Sequence, residues 1–365
     1  MVSAYKDTLT KVLPAFLNDG SNSSVQRQGS YIAYAQLTNL VQDLVEFEKK
    51  LADASPPPEE QEDVTKYYNP RTLDQTHALL PDVSFSYIIS SLAPKDFSTN
   101  RVILGSPSYM KALSEILSNT SNDTVQAYFI WKVIQAYVSK VEDPVLKPLE
   151  RFNNQVQGKD PDATEERWRT CIKVADGGLG WLLSYFYVEK AFSPEAKQFG
   201  DLIVSDIKDR FMATLRSTEW MSKDVREKGI EKVKNIVQKI GYPTKSPDVM
   251  DPKCLRSYYE SVEITNHTFF ENALHIQKFL AEKEWSALGK PTDRNEWLMT
   301  APTVNAYYNP PGNEIVFPAG IMQSPVFYDP SVPQYLSYGA FGAVSGHELS
   351  HGKHPLLHCS LNKNN

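Results

Sequence analysis

The chain has 365 residues, of which 41% are hydrophobic, 22% charged and 11% aromatic, and its 38 basic and 44 acidic residues give a formal net charge of −6. This composition excludes a disordered chain, a collagen-like repeat and a polytopic membrane protein. The mild negative charge, without a cluster of Lys and Arg interleaved with aromatic residues, argues against nucleic-acid binding.

The first half of the chain is predicted to be mostly helical. Apolar residues recur at three- and four-residue spacing between Leu37 and Leu51, which indicates one buried helix face. The segment Pro56–Glu60 is expected to end that helix and to form an exposed acidic loop. Asn122 and Asp123 are plausible caps for a further helix.

Two long helices are predicted in the middle of the chain. Asp162 with Glu165 is typical of a capping box, and a long helix through Tyr187 should follow it. Ser193-Pro194 is typical of a helix start, with Ser as the N-cap and Pro at the first helical position.

A third helix is expected to run from Ser222 through Ile240, with Gly241 as its C-cap. No convincing strand is predicted before residue 285. The glycine-rich segment Asp176–Gly180 lacks the context of a phosphate loop, because no predicted strand precedes it, so we expect its glycines to allow close helix–helix packing.

The pattern changes after residue 285. Thr303–Tyr308 and Glu314–Phe317 are β-prone and flank a strong turn signal at Asn309–Asn313, which predicts a hairpin or two short neighbouring strands. Leu336–His351 is predicted to be a helix rich in small residues, a composition that a helix packed closely against its neighbours tolerates.

That last helix carries the motif His347-Glu348-Leu349-Ser350-His351. Residues four apart lie on one helix face, so both imidazoles can reach a single Zn²⁺ ion at about 2.0–2.1 Å. Glu348 lies about 100° around the helix from His347, where it can take a proton from a water molecule that zinc activates. The motif therefore makes His347 and His351 candidate zinc ligands and Glu348 a candidate catalytic base, with a chance occurrence of the pattern as the alternative.

The apolar runs, the N-terminal residues and the cysteines give no further indication of function. No run approaches the roughly 18 consecutive apolar residues of a transmembrane helix, and the N-terminal residues do not resemble a signal peptide. Cys171, Cys254 and Cys359 form no CxxC pair and fit no common zinc site, so free cysteines are expected.

Several further motifs accompany His347–His351. They are Arg167-Trp168-x-x-Cys171, Lys239-Ile240-Gly241-Tyr242-Pro243, Asp293-Arg294-x-x-Trp297-x-Met299-Thr300, Thr303-Val304-Asn305-Ala306-Tyr307-Tyr308-Asn309-Pro310, Asn313-Glu314-Ile315-Val316-Phe317-Pro318-Ala319-Gly320-Ile321, Tyr338-Gly339 and Gly346-His347-Glu348-x-x-His351-Gly352. Together they closely resemble the neprilysin family of zinc metallopeptidases (family M13, with endothelin-converting enzyme), from near the N-terminus to Gly352.

The resemblance implies a mainly α fold, in which a helical lobe at 1–285 precedes the beginning of a zincin, thermolysin-like catalytic lobe at 286–352 with a short β-hairpin. It also implies a zinc endopeptidase that cleaves peptides in an enclosed cavity. Asn305 and Ala306 would lie on the edge strand that pairs with the substrate backbone, because an edge strand offers unpaired N–H and C=O groups. The family is mostly extracellular or membrane-anchored, but no compartment is predicted for this chain.

The match to the family pattern stops at Gly352. The family's third zinc ligand is a Glu dozens of residues after the second His, whereas the 13 residues of 353–365 contain no acidic residue. We therefore expect 353–365 to be a non-homologous tail. His354, His358 or Cys359 could substitute as the ligand, but the spacing does not match the metzincin pattern.

The start of the chain also lies inside the helical lobe, so the chain is expected to be an internal piece of the family pattern, and the resemblance places the disulfide partner of Cys171 outside it. Three hypotheses about the function follow. The chain is a zinc endopeptidase fragment with little or no activity, a catalytically dead peptide-binding module, or a helical scaffold with a chance HExxH motif.

Overall fold

The computed structural model describes residues 1–17 and 34–352, and the predicted tail at 353–365 lies outside the described residues. The helices are, in chain order, α1 Val2–Val12, α2 Pro14–Leu17, α3 Tyr34–Ala54, α4 Pro58–Glu62, α5 Val64–Tyr67, α6 Leu73–Leu79, α7 Phe85–Leu92, α8 Pro107–Ser118, α9 Asn122–Tyr137, α10 Lys147–Val156, α11 Arg167–Ala191, α12 Pro194–Ser217, α13 Lys223–Lys234, α14 Pro252–Tyr258, α15 Phe269–Trp285 and α16 Tyr335–His351. The strands are β1 Asn69–Thr72, β2 Arg101–Leu104, β3 Val237–Gly241, β4 Tyr307–Asn309 and β5 Glu314–Pro318.

The described chain forms two compact units that are discontinuous in sequence. The first unit comprises Met1–Glu166 and Glu263–Gly289, and the second comprises Arg167–Val262 and the chain from Lys290 onward. The predicted boundary between residues 285 and 286 concerns the family's domains and stays a prediction. No helix in the described residues is both long enough and apolar enough to cross a bilayer.

The first unit is a helical assembly around a buried tryptophan. Trp131 on α9 is fully buried. Its indole N–H donates a hydrogen bond to the Tyr5 hydroxyl on α1 at 2.6 Å. The strands β1 and β2 form an antiparallel pair in this unit, which the helical prediction for the first 285 residues missed.

The second unit packs five of the described helices, α11, α12, α13, α14 and α16, with a small sheet. The sheet order is β3-β5-β4, with β3 parallel and β4 antiparallel to the central strand β5. All five residues of β5 are buried. The rings of Phe317 on β5 and Phe341 on α16 lie 5.1 Å apart, so the sheet and the motif-bearing helix share one core.

Several predicted helix ends are confirmed by capping contacts. The Ser193 hydroxyl accepts from the Ala196 N–H at 3.1 Å, with Pro194 at the first position of α12. Ser222 caps α13 in the same way, through the N–H of Val225. These side-chain oxygens satisfy backbone donors that would otherwise lack partners, which is why both helices begin there.

Among the other predictions for the first half, the end of the helix before Pro56 is confirmed, since α3 ends at Ala54, but three details are wrong. Ser121 caps α9, and the expected caps Asn122 and Asp123 lie in its first turn. Pro58 starts the short helix α4 where an exposed loop is expected. The capping box at Asp162 does not form, because α11 begins only at Arg167, and the Asp162 carboxylate instead accepts a hydrogen bond from Arg151 at 2.5 Å.

The predicted helix through Ile240 is also wrong. α13 ends at Lys234, and Val237–Gly241 is a strand whose hydrogen bonds come from β5, more than 70 residues later. Gly241 ends that strand with a φ of +83° instead of capping a helix. The apolar spacing of this segment suited a helix, but the segment forms a strand because the distant strand β5 supplies its hydrogen-bond partners.

In the segment Asp176–Gly180, Gly180 packs against a different neighbour from the one predicted, and a β-carbon at Gly177 would meet nothing within 4 Å. A β-carbon at Gly180 would lie 2.4 Å from Cγ2 of Thr300, so this glycine permits close approach of the 300–303 loop and not of another helix. The backbone of α11 departs from helical angles at the preceding residue, Leu179 (φ −121°, ψ 30°).

We predict that Gly241→Ala lowers the free energy of unfolding of the second unit by about 2 kcal/mol or more, since a positive φ disfavours L side chains. The new β-carbon would also lie 2.4 Å from the Phe192 ring. Urea unfolding followed by circular dichroism measures the change. Gly339→Ala is the matched control, because a β-carbon there meets nothing within 4 Å. Equal stability of the two variants would contradict the assignment.

Candidate metal centre

The two histidines of the motif face the same point in space. His347 and His351 are exposed in the last turns of α16, and their Nε2 atoms lie 3.0 Å apart. The ring centroids are 4.6 Å apart with an interplanar angle of 86°. Two nitrogen ligands of a tetrahedral zinc ion lie about 3.3 Å apart, given bonds of about 2.0–2.1 Å. The pair therefore fits a shared zinc ion.

Among the described residues, no third candidate ligand joins the two histidines. Within 1–17 and 34–352, no group of three or more His, Cys, Asp and Glu side chains is arranged to hold a metal ion. A catalytic zinc site uses three protein ligands and an open position. The substitute ligands considered from the sequence, His354, His358 and Cys359, lie outside the described residues.

Glu348 differs from the flanking histidines in being buried, with 5% of its surface exposed. Burial raises the pKa of its carboxyl group, because the charged form loses solvation. The charges of His351 and His347 and a hydrogen bond from the Tyr308 backbone N–H act in the opposite direction. The carboxylate thus lies between the two histidines of α16 and the strand β4.

The predicted substrate residues lie at the start of this strand. β4 begins at Tyr307, so Asn305 and Ala306 precede it, whereas the sequence placed them on the strand itself. Asn305 is exposed, and its Oδ1 accepts from the N–H of Ala306 at 2.9 Å. Ala306 is 7% exposed.

β4 is the edge of the sheet on the side of Glu348. Backbone groups alternate along an antiparallel strand, and the Tyr308 N–H points towards Glu348. This edge of β4 is consequently the one that faces the motif.

Tyr308 joins the hairpin to the end of α16. Its hydroxyl donates to Oδ1 of Asn313 in the hairpin turn at 3.1 Å. A β-carbon at Gly352 would lie 3.3 Å from ring atom Cε2 of Tyr308, so glycine lets this ring pack against the helix end. The sequence singled out Tyr308 only as part of a motif, and its spacing gives no sign of this contact.

A buried ion pair links β3 to the hairpin formed by β4 and β5. Nζ of Lys239 on β3 lies 2.7 Å from Oε2 of Glu314 on β5, and the two side chains are 9% and 6% exposed. Asn309 on β4 donates to the other carboxylate oxygen at 2.9 Å. Lys239 also donates to the Glu296 carbonyl at 2.8 Å. Sequence reasoning missed this pair, because Glu314 sits in an apolar β-prone run and its partner is 75 positions away.

The loop that leads into Asn305 is anchored to α11. The Thr300 hydroxyl donates to Asp176 at 2.8 Å, and Ser184 accepts from the Ala301 N–H at 3.0 Å. The N–H of Gly320, just after β5, donates to the Ala301 carbonyl at 2.7 Å. These bonds fix the loop that leads into β4 between α11 and the residues that follow β5.

The motif helix is held in turn by α12. The Tyr338 hydroxyl donates to Asp206, an interaction that raises the pKa of the tyrosine to about 12. A β-carbon at Gly342 would lie 3.3 Å from Ile207, whereas Gly339 and Gly346 have nothing within 4 Å. The predicted close packing of this small-residue helix therefore rests on Gly342.

The comparisons with known proteins identify relatives in a single peptidase family. The model of peptidase family M13 matches at residues 1–243 with its N-terminal part and at 305–356 with its peptidase part. The endothelin-converting enzyme homolog of Locusta migratoria is 29% identical over 96% of this chain and 47% of its own length. Neprilysin-3 of Drosophila melanogaster is 31% identical over 84% of this chain and 40% of its own.

A solved structure has the same fold. The Mycobacterium tuberculosis zinc metalloprotease Zmp1, in complex with an inhibitor, superposes with a TM-score of 0.80 at 25% identity and covers 96% of this chain and 49% of its own. This likeness confirms the predicted fold class, mainly α with a zincin-like hairpin and motif helix. The chain spans less than half the length of the curated relatives cited above.

We predict that Glu314→Ala lowers the free energy of unfolding by about 3–5 kcal/mol, because it leaves the Lys239 ammonium buried without its partner. The double variant Lys239→Met/Glu314→Leu should recover most of that loss, since apolar residues of similar size need no solvation. Chemical denaturation of the three proteins measures both effects.

The exposed pair Lys223–Glu227, with side chains 79% and 65% exposed and 3.9 Å between the charged atoms, provides the control. Glu227→Ala should change stability by less than about 1 kcal/mol. A Glu314→Ala loss no larger than the Glu227→Ala loss would contradict the role given to the buried pair.

Proposed function

This chain belongs to peptidase family M13, and on that premise we propose that it supplies two zinc ligands and the general base of a metallopeptidase that hydrolyses peptide bonds. The observation that carries the proposal is the pair of Nε2 atoms 3.0 Å apart, on the same helix as a buried carboxylate. A chance HExxH motif would not explain why the hairpin, the buried Glu348 and the family match occur together.

His347 and His351 are the residues that would hold the zinc ion. Zinc, when bound, supplies a Lewis acid that polarises a carbonyl oxygen and lowers the pKa of water to about 7. The arrangement of the two rings supports this role, because both donor atoms point to one side of α16.

Glu348 is proposed to take a proton from the attacking water and to deliver it to the leaving amine. Its burial favours this exchange, since a carboxylate with a raised pKa holds a proton more readily near neutral pH. The Tyr308 N–H orients the carboxylate from the strand side.

The substrate is proposed to be an extended peptide that adds to the edge of β4. Asn305 supports this role because its Oδ1 accepts from the Ala306 N–H while its amide nitrogen makes no hydrogen bond to any of the described residues. That nitrogen can donate to a peptide carbonyl. Main-chain pairing of this kind gives affinity with little sequence selectivity.

For the 365-residue chain alone, we expect weak zinc binding and little or no peptide turnover. The described residues hold two ligands, and two imidazoles with solvent bind zinc less tightly than three protein ligands do. The solved relative from Mycobacterium tuberculosis is named a zinc metalloprotease, which supports zinc as the metal.

The test is zinc binding measured by competition with a colorimetric chelator. His347→Ala and His351→Ala should each weaken binding about tenfold or more, whereas Glu348→Gln should leave it nearly unchanged, because Glu348 is not a ligand. His267→Ala, an exposed histidine in the first unit, is the matched control.

Peptide cleavage provides the second readout. Robust turnover by this chain that a zinc chelator blocks and Glu348→Gln abolishes would contradict the expected low activity but support the mechanism. Zinc binding that is identical in the wild type and in both motif histidine variants would overturn the proposed site.

A further inference from the structure

A second feature of the same unit lies apart from the histidine motif. A cavity of about 510 Å³ is bounded by the first turns of α12, by β3, by the turn after β3 and by 294–297. No residue of α16 or β4 lines it. The volume lies within the range of about 300–1,000 Å³ typical of ligand pockets.

The walls of this cavity are tied together by hydrogen bonds. Backbone bridges join Thr244 to Asp248 and Ser246 to Glu296. The Asp293 carboxylate accepts hydrogen bonds from Ser246 and Asn295, which lowers the pKa of that carboxyl. The cavity thus has a defined shape, built from segments about 50 residues apart in sequence.

The charges in the cavity are mostly positive. Lys197, Lys245 and Arg294 line it together with a single acidic side chain, Asp201, whose Oδ1 accepts from Gln238 at 2.7 Å. Lys239 also lines it, but the buried Glu314 neutralises that charge. The excess is notable because the chain as a whole carries a net charge of −6.

Two of these cations lack an internal partner. Among the described residues, neither Lys245 nor Arg294 has a hydrogen bond or ion pair. Both residues are exposed and line the cavity. The guanidinium of arginine presents a planar fork of donors that matches carboxylate and phosphate oxygens.

Lys197 is held in the interior of the cavity wall. Its Nζ lies 3.9 Å from the centre of the Tyr242 ring and 3.5 Å from the Tyr242 carbonyl oxygen. Burial lowers the pKa of this ammonium, while Asp201 and Asp248 act in the opposite direction. A bound anion would replace part of the solvation that this cation has lost.

From this arrangement we infer that the cavity binds a small multivalent oxyanion through Lys197, Lys245 and Arg294. The chemistry is that of a phosphate or polycarboxylate group, whose several oxygens can be shared among three cations. The neutral donors Gln198 and Asn295 line the same cavity and can complete the hydrogen bonding. The inference does not depend on the proposed peptidase function.

Isothermal titration calorimetry with diphosphate and, separately, with citrate, at constant ionic strength, tests the inference. We expect saturable binding of one ion per chain by at least one probe, and the stronger probe identifies phosphate or carboxylate as the preferred group. Arg294→Glu and Lys245→Glu should each weaken binding about tenfold or more, because each replaces a direct charged contact with repulsion.

Two controls keep the result specific. Lys228→Glu makes the same charge change on exposed α13, outside the cavity, and should bind like the wild type. The double variant His347→Ala/His351→Ala should also bind normally, which separates this site from metal-mediated binding at the histidines. Arg294→Gln, with circular dichroism, checks that any loss reflects the contact and not misfolding.

Absence of saturable binding with both probes would overturn the inference. So would equal weakening in Lys228→Glu and in the two cavity variants, since that result indicates only a general effect of net charge. Loss of binding confined to the histidine double variant would assign the anion to a metal ion and would equally refute the cavity site.

Discussion

The buried ion pair between Lys239 and Glu314 is the interaction on which the second unit depends most. It lies where the parallel pair β3–β5 meets the antiparallel pair β5–β4, and its carboxylate also accepts from Asn309. Two charges withdrawn from water are tolerated only with such complete pairing, so the geometry of all three strands is coupled at this point. The two proposed sites lie on opposite strands of this sheet, the peptide edge at β4 and the oxyanion cavity at β3.

The residues of the proposed catalytic site are divided between a helix and a strand. The spacing of His347 and His351 on α16 brings their nitrogen atoms together, which is a local property of helical geometry. The environment of Glu348 is not local, because its burial and the Tyr308 hydrogen bond both come from the hairpin. The contacts of α12 with Tyr338 and Gly342 then hold the helix against the same core.

Much of the family assignment could be read from the sequence. The resemblance to the neprilysin family is confirmed by the matched family models, and β5 and the motif helix occur where the residue pattern placed them, whereas β4 begins at Tyr307 instead of Thr303. The failures are elements whose partners lie far away. The pattern before Ile240 suited a helix, yet β3 forms because β5 supplies its ladder, and the glycine at 180 serves the Thr300 loop rather than a helix.

The sequence by itself determined the elements that depend on neighbouring residues: the i, i+4 histidine pair, the Ser193 and Ser222 caps, and the turn between β4 and β5. Their hydrogen bonds and side-chain spacings lie within a few residues, so no distant contact is needed to specify them. Only the tertiary structure decided that Lys239 pairs with Glu314, that Tyr308 meets Glu348, and that Lys197 and Arg294 line one cavity. These pairings join segments tens of residues apart, and burial in a common core, rather than any local preference, brings them together.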